Sequence, residues 1–587
     1  MGSEVVKLLK NIYFAGISGI FCVFALSILG FLINISINPF YSVISLFLAF
    51  LLFIYFSKKD GISNRKIALL SAFMLIGIIF LGLISYIFID ISYDGRSYHQ
   101  GAAVFLKMGW NPFYSNIYEF SQKINCSAFE SSFWHINDKL YVNSLLWIEH
   151  YTKFFEIFAA NIYSLTGKIE TGKILNYLMW VLTAFYAYAT FCKISCASGK
   201  KPGKLEIFSS FLVSFTPVTI CQCATYCVDG LLYFAFINVL LSIVNISLNN
   251  PKNAKTLPIA SDIISVIMNL VILANVKIAG LAYGILILFV WFLYLLFIKK
   301  FSFILKRFLP LFFTFILLAG ISGINPYYTN IKQGKHILYP LAGEGKVDVM
   351  TGQMPESFRG KNRFYKLFMS TFARAKNVWP PEPNVHLKVP FSVVGQKLFT
   401  NPDMRISGFG YFWSGILIFT AVLLCFLRFK NKESEKIFIL LMAEIFSLLL
   451  INPESWWARY VPWFWTFPLF VCYFSILEGR KKKFAYIILL LMLLNNLIIF
   501  THNFLRTAHM TYLTDISLMK FKKGETIKLY VKPWGNMRTN TYDESFYIKL
   551  QERGIDYKFV TEEEYRQGCF EYAVWSIDKK LTVECKK

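Results

Sequence analysis

A backbone placed in hydrocarbon has two stable solutions, the α-helix and the closed β-barrel, because every N–H and C=O must find its partner inside the protein. This chain has thirteen apolar runs of spanning or near-spanning length, at 13–34, 41–57, 67–89, 174–191, 207–220, 231–248, 263–274, 278–298, 308–323, 411–427, 437–451, 463–477 and 484–500. They are continuous rather than alternating, which selects helices over barrel strands. The fold class expected is therefore mainly α, a polytopic membrane protein of about thirteen transmembrane helices. Composition agrees, since 56% of 587 residues are hydrophobic and 60 are Phe.

The net charge of +25 would suggest nucleic acid in a soluble chain. Here the basic residues fall between apolar runs, as in Lys58-Lys59, Lys200-Lys201, Lys299-Lys300, Arg428 with Lys430, and Arg480 to Lys483. All these lie on one side, which the positive-inside bias makes cytoplasmic. The first run is too long for a signal core and reads as a signal anchor. The N-terminus is then inside and the C-terminus outside. A membrane domain over 1–500 carries outer loops at 90–171 and 324–410, and an extracytoplasmic module of α/β pattern follows at 501–587. Cys569 and Cys585 would meet an oxidising compartment there, where a disulfide can persist. Cys221, Cys223 and Cys227 lack a second ligand cluster and read as packing thiols.

All seven histidines, including His99, His135 and His336, fall on the outer face. So does Asp90-Ile91-Ser92-Tyr93-Asp94-Gly95-Arg96-Ser97-Tyr98-His99, at the mouth of the third apolar run. Charge held at that level is costly and marks chemistry or ligand binding. The bland alternative is that its carboxylates pair with Arg96 or cap the helical segment starting near Ser97. Amphipathic stretches in the first loop, such as 143–163 with Trp147, Phe154, Phe155 and Phe158 among Glu149, Lys153 and Glu156, are expected to lie along the membrane surface. The loop 324–410 lacks strong helical periodicity and reads as a lid or binding loop.

An ordered set of short motifs runs from the first outer loop to the last helices. It comprises Asp94-x-x-x-Tyr98-His99, Asn111-Pro112-Phe113-Tyr114, Leu165 to Lys173, Gln222 to Asp229, and Asn275-Val276-Lys277. It continues with Asn325-Pro326-Tyr327-Tyr328-Thr329-Asn330, Tyr339-Pro340-Leu341, Arg405 to Gly410, and Pro453 to Tyr460. In this the chain resembles the membrane-embedded glycosyltransferases of the C superfamily (GT-C), which includes the protein O-mannosyltransferases and the aminoarabinose transferases. Asp94 follows the third apolar run instead of the first, as two additional N-terminal helices would produce.

The resemblance implies a glycosyltransferase that moves a sugar from a polyprenyl-phosphate donor to a glycan, lipid or protein acceptor, at the outer face of a bacterial inner membrane. It implies Asp94 as general base, with Asp90 next, and His99 to orient the base or touch phosphate. Donor-phosphate contacts fall to Arg459, Lys277, Arg405 and Tyr460. Sugar or acceptor contacts fall to Asp229, Trp110, Trp456, Trp457 and His336. Branches of the group differ in using a divalent metal, so cofactor use stays open. Two further readings are a ligase or polymerase of lipid-linked glycans, and a lipid flippase. A flippase would place polar residues near the bilayer midplane and show inverted repeats.

Overall fold

The computed structural model describes residues 3–123, 139–248, 257–374, 381–393, 401–530, 544–560, 562–576 and 579–584. His135 and Cys585 lie outside these ranges. Every apolar run forms helix. Among the described residues, eight helices are long and apolar enough to cross a membrane, and Ala260–Val276, Trp413–Phe426 and Pro462–Leu477 are shorter apolar helices. The run at 207–220 is broken into Lys204–Ser214 and Pro217–Gln222. Pro217 forbids the helical conformation one residue earlier, so Thr216 is extended and its hydroxyl caps Thr219.

Burial sorts the helices. Asp229–Ser247 is apolar on every side and 94% of its apolar window is buried, so it stands at the centre of the bundle; Asn64–Ile87, at 6%, faces outward nearly all round. The basic loops gather at one end. There Ser198 Oγ meets Ser434 Oγ at 2.7 Å, Asn431 donates to the Ala197 carbonyl at 3.2 Å, and Lys66 pairs with Glu4 at 2.7 Å. The motif residues lie at the other end.

The last helix, Lys482–Met519, runs unbroken through residue 500. Beyond it lies a four-stranded sheet of order β2-β1-β4-β3, with β1 Thr526–Tyr530, β2 Asp556–Phe559, β3 Phe570–Ser576 and β4 Lys579–Glu584. β1 and β2 are parallel and joined through the helix Glu544–Glu552, while β4 runs antiparallel to both β1 and β3. Cys569 is disulfide-bonded, its partner lying outside the described residues.

The stretch 143–163 departs from its expected place on the membrane surface. Its helices, Lys139–His150 and Phe154–Thr166, bury Phe154, Phe155 and Phe158 together with Glu149, Lys153 and Glu156. The polar face is buried because it clasps the second outer loop. Lys153 donates to the carbonyls of Glu149 and Tyr151, at 3.0 and 2.7 Å, and to Asn325 Oδ1. His150 Nδ1 bonds Asn330 Oδ1 at 2.7 Å, and Gln333 donates to Glu149 at 2.9 Å. The Asn-Pro-Tyr-Tyr-Thr-Asn motif thus latches one loop to the other.

Burial lowers the pKa of His150 to about 4, and that of Lys153 to about 8. The unfolded chain protonates His150 near pH 6.5, which the fold resists until about pH 4, so stability is lost as pH falls through this window. The loss approaches roughly 3 kcal/mol at its lower end. Thermal unfolding between pH 7 and 4 should show this slope, and His150→Gln should flatten it; an equal slope in both proteins would remove His150 as its source.

Candidate functional site

The turn after Asn64–Ile87 is built before it is used. Asp90 is buried, and its carboxylate accepts from Ser92 N and Ser92 Oγ, both at 2.7 Å, and from Tyr226 N at 2.8 Å. Residue 95 must be glycine, because a Cβ there would lie 1.9 Å from Asp90 Oδ2. Burial raises the Asp90 pKa above the usual carboxylate range. Both Asp90 oxygens are therefore committed to shaping the chain into the π-helical turn Gly95–His99, which Asp94 immediately precedes.

Asp94 meets a residue 365 positions away. Arg459 Nη1 donates to Asp94 Oδ2 at 2.7 Å and lies 3.6 Å from Asp229 Oδ2, and its Nε lies 3.1 Å from Asp403 Oδ1. Arg405 pairs with Asp403 through Nε and Nη2, at 2.7 and 2.6 Å. Lys277 pairs with Asp229 at 2.5 Å. Three carboxylates and three cations thus form one continuous cluster, with Arg459 at its hub. Burial opposes the Arg459 charge, but Asp403, Asp94 and Asp229 outweigh it and push the pKa further up.

Each member has a local reason for its place. Asp229 opens the helix Asp229–Ser247, where the N-terminal dipole favours an anion, and Gln222 Nε2 donates to it at 3.2 Å. Lys277 occupies the extended link between Leu257–Val276 and Ile278–Phe297. That link is tight: a Cβ on Gly280 would lie 1.8 Å from the Leu273 carbonyl oxygen. Arg459 sits in the short turn Ala458–Tyr460, followed by the 3-10 turn Pro462–Trp465 that leads into the α-helix Thr466–Leu477. Backbone bonds from Arg459 N to Met404 O (3.2 Å) and Ala458 N to Arg405 O (3.4 Å) bring the 403–405 segment alongside.

Aromatic faces complete the arrangement. The Arg405 and Arg459 guanidiniums each lie 4.9 Å from the Trp457 ring, and Trp457 Nε1 donates to Asp403 at 3.0 Å. Lys277 Nζ lies 4.0 Å from the Tyr460 ring, which stacks on Trp457 at 4.8 Å.

Asp94, Asp229, Lys277, Arg405, Arg459, Trp457 and Tyr460 therefore come together. Trp456 stacks behind Trp457 at 5.4 Å, buried, with its Nε1 bonded to Glu454. His99 stands outside the cluster, buried against Glu156. Trp110 is buried with its Nε1 on the Ser115 carbonyl at 2.9 Å. His336 is exposed on the second loop, where it accepts from Leu338 N at 3.1 Å. Asp403 was not singled out from the sequence; its signal was its place two residues before Arg405. No three His, Cys, Asp or Glu side chains among the described residues form a group suited to a metal ion.

The turn is gripped from behind. Lys173 Nζ donates to the Phe88 carbonyl, Thr511 Oγ1 accepts from Ile89 N at 3.2 Å, and the Glu170 carboxylate accepts from Asp90 N at 3.2 Å. Glu170 pairs with Lys173 at 2.5 Å and with Lys549 of the C-terminal module at 3.0 Å. Glu552, on the same helix, accepts from Ile169 N at 2.6 Å.

No family model and no curated protein matches this chain. Among solved structures, ArnT from Cupriavidus metallidurans bound to undecaprenyl phosphate is similar over 89% of this chain and 99% of that one, at 10% identity and a TM-score of 0.40.

The Lys549–Glu170 contact makes the module part of the turn's support. Lys549→Ala should raise amide exchange at Ile89 and Asp90 by about tenfold, equivalent to about 1.4 kcal/mol of lost protection. Lys549→Arg should restore it. Unchanged exchange in Lys549→Ala would show that the turn holds without the module.

Proposed function

We propose that this protein is a GT-C-type glycosyltransferase that moves a sugar from a polyprenyl-phosphate donor to an acceptor at the outer face of a bacterial inner membrane. The observation that carries this reading is the cluster around Arg459, in which side chains from five separated motifs of the resemblance converge at the end of the bundle opposite the basic loops. The placement of those loops supports a cytoplasmic N-terminus and an outer location for both the cluster and the C-terminal module.

In this reading Asp94 is the general base. The acceptor oxygen attacks the anomeric carbon and gives its proton to the Asp94 carboxylate. The bond from that carbon to the phosphate oxygen breaks, and its electron pair leaves with polyprenyl phosphate. A single displacement of this kind inverts the anomeric centre. The leaving phosphate gains negative charge as the bond breaks, so cations fixed in advance stabilise the transition state more than the ground state. Arg459 suits this by its planar fork, and Lys277 adds a second charge.

Asp94 and the donor phosphate compete for Arg459, whose Nη1 holds Asp94 at 2.7 Å. A phosphate drawing on the same guanidinium weakens that bond and leaves the carboxylate free to take a proton. Asp229 and Asp403 then keep Arg459 and Lys277 in place. Asp90 and His99 have structural partners in this scheme and act on Asp94 through the shape of its turn.

Asp94→Asn should abolish release of polyprenyl phosphate from a sugar-loaded donor, with donor binding retained; wild-type turnover in that variant would remove Asp94 from the role. Arg459→Ala should weaken polyprenyl phosphate binding at least tenfold, about 1.4 kcal/mol, and Arg459→Lys by less. Wild-type affinity in both variants would place the phosphate elsewhere.

A further inference from the structure

The second outer loop contains a ten-residue helix, Arg363–Phe372, capped by the Asn362 side chain on Tyr365 N at 2.8 Å. It is strongly amphipathic and carries apolar side chains on both sides: Leu367 and Met369 are half-buried against the protein, and others face out. Ser370 and Thr371 are buried against the protein, whereas Phe364 and Phe368, one turn apart, are 58% and 55% exposed. Tyr365 is exposed beside them. The adjoining strand-like segment adds Leu387 and Val389, also exposed, and is joined to the helix end by Lys388 N donating to the Phe372 carbonyl at 2.9 Å. Large apolar side chains at adjacent positions, all turned outward, mark a surface that something covers.

The level of this patch identifies its cover. Arg363 Nη1 donates at 2.6 Å to the carbonyl of Leu450, in the last turn of the helix Lys432–Ile451. Leu450 and Ile451 are themselves exposed apolar residues at the outer end of that helix. The aromatic face therefore continues the apolar belt of the bundle, and Lys361 and Lys366 flank it with positive charge. Exposed aromatics with flanking Lys and Arg at the end of a spanning helix match the physics of a helix lying in the head-group region.

We propose that Arg363–Phe372 is an interfacial helix seated in the outer leaflet, with Phe364 and Phe368 in the acyl region and a phospholipid bilayer as its partner. The opposite face ties it to the charged cluster. Ser370 Oγ donates to the Trp456 carbonyl at 2.6 Å, and Ser407 N donates to the Ser370 carbonyl at 3.0 Å. These bonds lie beside Arg405 and Trp457, so the depth of the helix in the leaflet fixes the height of the cluster. The inference stands on exposure and contacts, and it does not require the glycosyltransferase reading.

The test is photo-crosslinking of the full chain in nanodiscs of phosphatidylethanolamine and phosphatidylglycerol doped with a phosphatidylcholine that carries a diazirine in one acyl chain. Adducts are located by mass spectrometry, with the exposed face of Trp413–Phe426 as internal reference. Lipid adducts at Phe364 or Phe368, at a yield within about threefold of the reference, are expected, and Phe364→Ser/Phe368→Ser should lower them to background. Adducts on the reference helix with none across 363–372 would overturn the proposal.

Discussion

One guanidinium ties together three segments at the end of the bundle opposite the basic loops. Arg459 contacts carboxylates delivered by the turn at 94, the helix start at 229 and the loop at 403. A charge buried to this extent is tolerated only with partners in place, and removing one partner leaves the others uncompensated. The three segments are therefore locked to one another through a single side chain. The indole of Trp457 supports the guanidinium face and ties down Asp403 at the same time. With three acidic and three basic members the cluster balances its own charge, which lets it form inside the bundle end.

Around this hub, the remaining contacts oppose movement. The Asp90 turn is closed by its own carboxylate and held at its start by Lys173 on the Phe88 carbonyl. The outward extension of the last helix reaches it through Thr511, and the C-terminal sheet module through Lys549 and Glu170. The module therefore serves the site as a brace, whatever else it binds. On the other flank, Lys153 and His150 close the first loop onto the second with neutral acceptors alone. Groups that approach the chemistry are thereby fixed by groups that do not, which is what a preorganised electrostatic site requires.

Much of this was legible in the sequence. Continuous apolar runs give helices in lipid by necessity, so each run has its helix, although Pro217 breaks a run read as continuous. Asp94 could be picked out because charge beside an apolar run is costly enough to need a reason, and Asp229, Lys277, Arg405 and Arg459 because they fall in the motifs of the resemblance. Asp403 escaped because a loop carboxylate two residues from an arginine has no such cost until the fold buries it. The stretch at 143–163 was misplaced because amphipathicity shows that a helix has two faces and leaves open what covers each: Lys153 and Glu149 found protein partners, so the polar face went inward. Arg363–Phe372 differs in that Phe364 and Phe368 face out, while Ser370 and Thr371, with Leu367 and Met369, face protein. The partners of His99 and Asp90 depend on contacts across 57 and 136 positions, which no local pattern encodes.

The proposed mechanism has Arg459 shared between the Asp94 carboxylate and the donor phosphate. A structure of the protein with a polyprenyl phosphate bound tests this most directly. The phosphate should lie within hydrogen-bonding reach of Arg459, with the Asp94 carboxylate released from it and open to the outer water. A phosphate seated away from Arg459, with the Arg459–Asp94 pair intact beside it, would contradict the mechanism at its centre.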